Sequence, residues 1–309
     1  MRKVLSSAIS LASLTIISSA QTITQNFGTG ANVFSIDFVQ IGNPGNMGDP
    51  QTPSKPGSIS YIYNIGKYEI SRDMILKANI AGDLGITMYD MSNYGGNGAN
   101  RPATGINWYE AAKFVNYLNT SLGYQAAYKS SGSGTFQNWL PTDSGYNAGN
   151  SIRNSLAKYF LPSGHEWYKA AFGSPDGIWY DYATGSNTVP SAVSGGTDAN
   201  TAVYSQMGPA DVNNAGGLSS YGVMGMVGNV MEWSEQVLIE PPPGNWVLRG
   251  GSFSQRFAFS NLYSSGAQGP EESNDYDFGF RVLMIPEPSA LSLLAIGLGG
   301  LALVRRRRW

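Results

Sequence analysis

The sequence predicts a loop-rich globular domain assembled from short strands and short helices. Three observations predict it. The 309 residues include 39 Gly and 16 Pro, so turns are frequent. Charged residues make up only 13%, while 18 Tyr and 7 Trp supply material for a core; a disordered chain is more charged and poorer in aromatics. Segments with strand or helix periodicity are brief and separated by Gly-, Pro-, Ser- and Asn-rich stretches. This length accommodates one large domain or two small ones.

Residues 1–20 carry Arg2 and Lys3, an apolar run over 5–17 and the small residues Ser-Ser-Ala before Gln21. This is the pattern of a secretory signal peptide; an uncleaved anchor needs about 20 apolar residues. Residues 21–60 are polar and rich in turns around one apolar stretch, NVFSIDFVQI, which reads as a strand. YIYNIGKYEIS alternates as a second strand, and SRDMILKAN follows as a short helix capped by Ser71. The clearest helix covers residues 108–119. Asn107 caps it, Glu110 completes a capping box, and Trp108, Ala111, Val115 and Leu118 share a face. Residues 120–150 read as a long exposed loop. Ser163 and Glu166 repeat the capping box ahead of another helix, whose first turn holds His165, read as a structural or surface residue.

Absences bound the chemistry. There is no cysteine and one histidine, which removes disulfides, thiolate catalysis, Cys-ligated zinc and any multi-His metal site within one chain. With the basic ends set aside, residues 21–288 hold 13 of the 19 basic residues and all 21 acidic ones, a balance of about −8. Nucleic acid and anionic membrane surfaces are poor partners for such a body.

Residues 221–282 concentrate glycine pairs, bulky aromatics and isolated charges. Gly228, Gly250 and Gly251 suit tight turns or close backbone approach. Trp233, Phe253 and Phe280 supply large buried areas around them. Glu232, Arg249 and Arg281 are lone charges among aromatics and are expected in hydrogen-bonded or ion-paired sites, because a bare buried charge is costly.

The ordered blocks GNV-x-EW, LRGGSF and FGFRV, with Trp233, Arg249, Gly250, Gly251, Gly279 and Arg281 as the motif residues, resemble the sulfatase-modifying-factor family of formylglycine-generating-enzyme-like domains. Residues 66–71, NWYEAAKFVNYLN and LPSGHEWYKAAF are similar to further blocks of that family, so the resemblance spans residues 33–285. It implies a C-type-lectin-like α+β fold with little regular secondary structure. Enzymes of the family oxidise a substrate cysteine with two copper-binding cysteines, whose positions fall here on Gln255 and Ser260. Neither side chain forms a thiolate or a soft copper ligand, so no copper is expected and the family activity is not carried over. Relatives with an iron-binding bundle need three histidines, which this chain lacks.

The resemblance also implies structural calcium. One site falls on the Gly228 and Val230 carbonyls and the Glu232 carboxylate, with Gly225 where an Asp or Asn is usual; another falls on Asn200 and the Thr201 carbonyl. Glu232 has an alternative reading as a buried acceptor of backbone N–H groups. Family topology sets Asp275 and Asp277 near Arg249, where they could form a polar pocket; the alternative for paired loop acids is solvation or a calcium link.

The C-terminus carries Pro286, Glu287 and Pro288, an apolar segment over 289–304 and an arginine cluster. About 16 residues of helix span about 24 Å, short of a ~30 Å bilayer core. This tripartite ending over 286–309 resembles a PEP-CTERM sorting signal of Gram-negative bacteria. It implies an exosortase-type membrane protease as processing partner, transient anchoring by a transmembrane helix, and delivery to the cell surface or an extracellular exopolysaccharide matrix; the alternative is a plain single-pass anchor. The expected mature chain runs from Gln21 to about Pro288. The function expected is a non-catalytic binding or structural module for an unidentified surface protein or polysaccharide, the alternative being an enzyme of unknown type with a non-cysteine site.

Overall fold

The computed structural model describes residues 22–131, 135–237, 245–258, 265–268 and 275–286. The signal segment, Ser260, Glu287, Pro288 and the apolar segment 289–304 lie outside the described residues. Among the described residues no helix is long and apolar enough to cross a membrane.

The chain opens with β1 (Thr22–Phe27), β2 (Phe34–Ile41) and β3 (Tyr63–Gly66), then α1 (Arg72–Gly82) and α2 (Trp108–Thr120). Three two-residue strands follow, β4 (Lys129–Ser130), β5 (Phe136–Gln137) and β6 (Tyr159–Phe160), and then α3 (Gly164–Phe172). The last part holds β7 (Ser191–Ala192), β8 (Thr201–Ala202), β9 (Met231–Val237), β10 (Trp246–Arg249), β11 (Ser265–Gln268), β12 (Phe278–Gly279) and β13 (Leu283–Met284).

Two sheets organise these elements. The larger has the order β1-β2-β3-β13-β6 and the second β11-β10-β9-β12. Every pairing in the larger sheet is antiparallel, whereas β12 runs parallel to β9. β13, from the end of the domain, is inserted between β3 and β6, so the sheet is complete only with the last strand in place. Thr22, Val39, Ile65, Leu283 and Phe160 form one row across it. β1 therefore begins and β13 ends at the same end of the sheet.

Strand β2 forms because Phe34, Ile36 and Phe38 alternate toward the core, with Val39 and Ile41 also buried. The sheet reaches back to Thr22, rather than starting near residue 33, because TITQNF pairs along the whole of β2. Strand β3 is shorter than its alternating sequence suggests. The chain after Gly66 leaves the sheet, and the Lys67 amide bonds back to the Asp37 carbonyl.

All three helices start as their caps dictate. Ser71 accepts from the Met74 amide, and both Asn107–Glu110 and Ser163–Glu166 form reciprocal capping boxes. The core-facing residues Trp108, Ala111, Val115 and Leu118 of α2 are buried. Region 120–150 is less exposed than its composition suggests: Ala127 and Tyr128 are buried and β4 pairs with β5. Two-residue strands are too short for periodicity to reveal them.

The three buried indoles connect the helices to β9. Trp108 Nε1 donates to the Ser234 carbonyl at 3.1 Å, Trp233 Nε1 to the Ile106 carbonyl at 2.7 Å, and Trp167 Nε1 to Glu232 at 2.7 Å. Their polar atoms are satisfied at the depth where their rings contribute most to packing.

Candidate functional site: a serine–aspartate cluster under a tyrosine rim

Two buried ionic networks frame the interior. In the first, Arg281 is fully buried and donates to both Glu232 oxygens, Nε to Oε2 at 2.6 Å and Nη2 to Oε1 at 2.5 Å. Its remaining donors reach the Gly66 and Met224 carbonyls, each at 2.9 Å. Such bidentate geometry satisfies both charges where neither reaches water. In the second, Arg153 Nη1 and Nη2 bind the two oxygens of Glu166 at 3.0 Å each, and its Nε binds Glu235 at 2.9 Å. Tyr61 donates to Glu166 at 2.6 Å, Tyr128 donates to Glu235, and the guanidinium lies 4.3 Å from the Phe160 ring centroid. The Glu166 carboxyl is held below its ordinary range: burial opposes its charge, but Arg153 outweighs burial.

Glu69 completes the first network. Its Oε1 accepts from Asn229 Nδ2 at 3.0 Å, while Oε2 is buried without a hydrogen-bond partner. Desolvation, with the nearby charge of Glu232 against that of Arg281, pushes its carboxyl up to about 8. Gly225 makes room for it. A Cβ there, on a backbone with φ of 72°, would stand 2.7 Å from Glu69 Oε1. The glycine that replaces the expected Asp or Asn thus lies against a different acid.

Asn229 carries this frame to the surface. Its side chain accepts from the Ala210 amide, and its carbonyl accepts from the Phe253 amide at 2.8 Å. The segment after β10 is thereby fixed. There Ser252 donates to Asp277 Oδ2 at 2.5 Å, Ser254 donates to the same oxygen at 3.1 Å, and the two hydroxyls lie 3.0 Å apart. Burial raises the Asp277 carboxyl while the serine bonds pull it back; the rise prevails. Above the cluster the Tyr94 and Tyr276 rings stack with centroids 4.5 Å apart and planes at 3°. Phe253 packs on both, at 6.0 and 5.8 Å, and Tyr89 lies 6.1 Å from Tyr276. Gln255, two residues beyond Phe253, is half-buried, its Nε2 3.8 Å from Met231 Sδ and its Oε1 without a partner. Phe257 is 62% exposed.

The structure brings some sequence-derived residues together and separates others. Glu232 and Arg281 pair as expected of lone buried charges. The donors to Glu232 are side chains, not the backbone N–H groups of the alternative reading. Trp233 and Gly279 flank the pair: Trp233 follows Glu232 on β9, and Gly279 is opposite Glu232 in the parallel register. Gly250 and Gly251 turn the chain out of β10. The Asp277 carboxylate is bound by Ser252 and Ser254; Arg249 lies 6.0 Å from the Trp167 ring, and burial lowers it to about 10. His165 is exposed, and its Nδ1 accepts from the Gly57 amide at 3.1 Å.

The calcium set built on Glu232 does not fit a hard cation as it stands, because Arg281 and Trp167 occupy both carboxylate oxygens. Near Gly228 the space is filled by protein: a Cβ would meet the Val203 carbonyl at 2.2 Å. At the other set, Asn200 Oδ1 accepts from Thr184 and the Thr201 carbonyl from the Gly217 amide. Among the described residues no three His, Asp or Glu side chains group to hold a metal.

Sequence reasoning missed Glu69, Arg153, Glu235, Ser252, Tyr94 and Tyr276. Arg153 is the only charge in residues 144–157, and Glu69 lies within KYEI. The lone-charge argument applied to Glu232 extends to both. The tyrosines carry no such signal.

This architecture places the domain among formylglycine-generating-enzyme-like, C-type-lectin-like folds. Treponema denticola variable protein 1 superposes with a TM-score of 0.60 at 21% identity, covering 85% of this chain and 99% of that one. CarF superposes at 0.57 with 19% identity, covering 87% and 98%; PvdO from Pseudomonas aeruginosa at 0.53 with 14% identity, covering 85% and 98%. At such identities the likeness establishes the fold alone. The chain belongs to the sulfatase-modifying factor enzyme 1-like domain family, whose model matches residues 40–285. Residues 285–308 match the PEP-CTERM protein-sorting motif, which marks an exported protein and implies processing by exosortase, a membrane protein. A search of curated proteins finds no match.

Glu69 gives the frame a pH dependence with a definite sign. Its folded-state value of about 8 lies above the ordinary 4.5. Between these the folded chain holds a proton that the unfolded chain has lost, so stability falls as pH rises through the window. Chemical denaturation of wild type and Glu69→Gln at pH 5 and pH 8 measures it. The variant is expected to lose less stability between the two pH values, by roughly a few kcal/mol at most. Parallel pH profiles would show that Glu69 is ionised throughout.

Proposed function

We propose that this is a cell-surface or matrix protein whose domain acts as a non-catalytic binding module, with the tyrosine-rimmed surface around Gln255 as its recognition face. The observation that carries the reading is the occupant of the first family cysteine position. Gln255 stands there, beside a closed Ser252–Asp277–Ser254 cluster, in a chain with no thiol at all. Ring faces, amide and hydroxyl groups on a fixed backbone suit recognition: aromatic side chains give large contact area at little entropic cost. The strand ends also support display. β1 begins and β13 ends at one end of the larger sheet, so the first and last described strands share that end.

One observation favours an enzymatic reading. Asp277 is raised by burial and bonded to Ser252, a pairing found in acid–base sites. Two assays on the full-length chain separate the readings. A glycan and protein array is expected to give a ligand that Tyr276→Ala weakens at least ten-fold, a loss of about 1.4 kcal/mol or more. A sulfatase-type cysteine peptide incubated with the protein and copper is expected to show no formylglycine by mass spectrometry. Formylglycine formation, or an array on which no ligand is weakened by Tyr276→Ala, would overturn the proposal.

Structural calcium is retained in this proposal at Asn200 and Thr201 alone, whose oxygens are neutral, already accept one hydrogen bond each and are of the kind the ion requires. A ligand bound only by the folded state raises the melting temperature by mass action. Melting curves in EDTA and in millimolar calcium are expected to differ, with the higher value in calcium; identical curves would remove calcium from the account.

A further inference from the structure

Phe136 borders two cavities. On one side it lines a pocket of about 110 Å³ with Trp108, Tyr109, Tyr128 and Trp246. On the other it ends an open groove of about 730 Å³ that follows α2. The pocket is walled by rings in fixed geometry. Trp108 and Trp246 stack with centroids 3.7 Å apart, and Tyr128 and Phe136 meet Trp108 edge-on at 5.2 and 5.8 Å. Gln137 and Asn138, both exposed, put amide groups at its border. Behind it the Tyr128 hydroxyl donates to Glu235, whose carboxylate Arg153 also binds. Among the described residues that line the pocket there is no carboxylate to hold a cation.

The groove differs in character. Thr29, Thr120, Ser121 and Asn116 contribute polar groups, and its single acid, Asp83, is balanced by its single base, Lys113. Thr120 and Ser121 donate back to the Asn116 and Leu118 carbonyls, so their oxygens remain as acceptors. None of these residues belongs to the surface around Gln255.

We infer that pocket and groove together form a glycan site that takes a neutral polysaccharide chain. A pyranose ring presents a C–H face that packs on aromatic rings and a rim of hydroxyls that bond amides and hydroxyl acceptors. The balanced charge of the groove gives no advantage to a polyanion or polycation. A volume of about 730 Å³ falls within the range of ligand clefts and extends along the helix, as a chain of several sugars requires. The inference deepens the binding-module reading and rests on it, but it places the ligand at residues the Gln255 surface does not use.

The test is isothermal titration of the full-length protein in detergent with three linear hexasaccharides: β-1,4-glucan, β-1,4-linked N-acetylglucosamine and α-1,4-glucan. Polygalacturonate serves as the anionic comparison. At least one neutral chain is expected to bind, with affinity reduced at least ten-fold in Trp246→Ala and several-fold in Gln137→Ala/Asn138→Ala. The double variant alters only exposed side chains and keeps the test decisive where Trp246→Ala does not fold. Tyr276→Ala is expected to bind as wild type. No heat from any neutral chain at millimolar concentration, tighter binding of polygalacturonate, or affinity unchanged in the double variant would overturn the inference. Loss in Tyr276→Ala alone would move the ligand to the Gln255 surface and leave the binding-module reading standing.

Discussion

Arg281 is buried where two sheets and a loop converge, and its guanidinium is bound to Glu232, Gly66 and Met224. Moving such a charge out of water costs several kcal/mol, which only full hydrogen bonding and a matched carboxylate offset. The pair thereby fixes positions distant in sequence: β9 through Glu232, the end of β3 through Gly66, and the stretch between β12 and β13 through Arg281 itself. Arg153 does the same for α3 and β9 through Glu166 and Glu235. Because α3 supplies both Glu166 and Trp167, and β9 both Glu232 and Glu235, the two networks bind this helix to this strand at two places.

The proposed recognition face depends on that frame. Glu69 holds Asn229, Asn229 holds the Phe253 amide, and the turn after β10 then sets Ser252 and Ser254 against Asp277. A face positioned by buried charged groups loses little entropy when it binds, since its backbone is already ordered. The chemistry at such a face follows from the side chains placed on it, while the scaffold beneath can stay the same. Here glutamine, serine and tyrosine suit contact, and no thiol is available for oxidation.

Much of the fold was legible in the sequence, for local physical reasons. Capping boxes fix where helices begin, so α2 and α3 start where Asn107 and Ser163 require. The apolar alternation of β2 is long enough to be seen. That Glu232 and Arg281 sit in bonded sites follows from the cost of bare buried charge; that they bond each other is seen only in the fold. What stayed hidden depends on distant partners. Arg153 meets Glu235 across 82 positions, and β1 has an exposed, polar sequence that becomes a strand only because β2 lies beside it. The stacked Tyr94 and Tyr276 come together only once the chain is folded. Asp277 is bound by Ser252 and Ser254, which lie 25 and 23 positions away in sequence.

A double-mutant cycle on Glu232 and Arg281, read by equilibrium denaturation at pH 7, tests most directly whether this pair holds the domain together. Glu232→Gln and Arg281→Met each strand a buried polar partner, so each alone is expected to cost about 3–5 kcal/mol. The double variant is expected to cost clearly less than the two together, with a coupling near the upper end of the usual ~0.5–3 kcal/mol. Additive losses, or single substitutions below about 1 kcal/mol, would contradict the central place given to this ion pair.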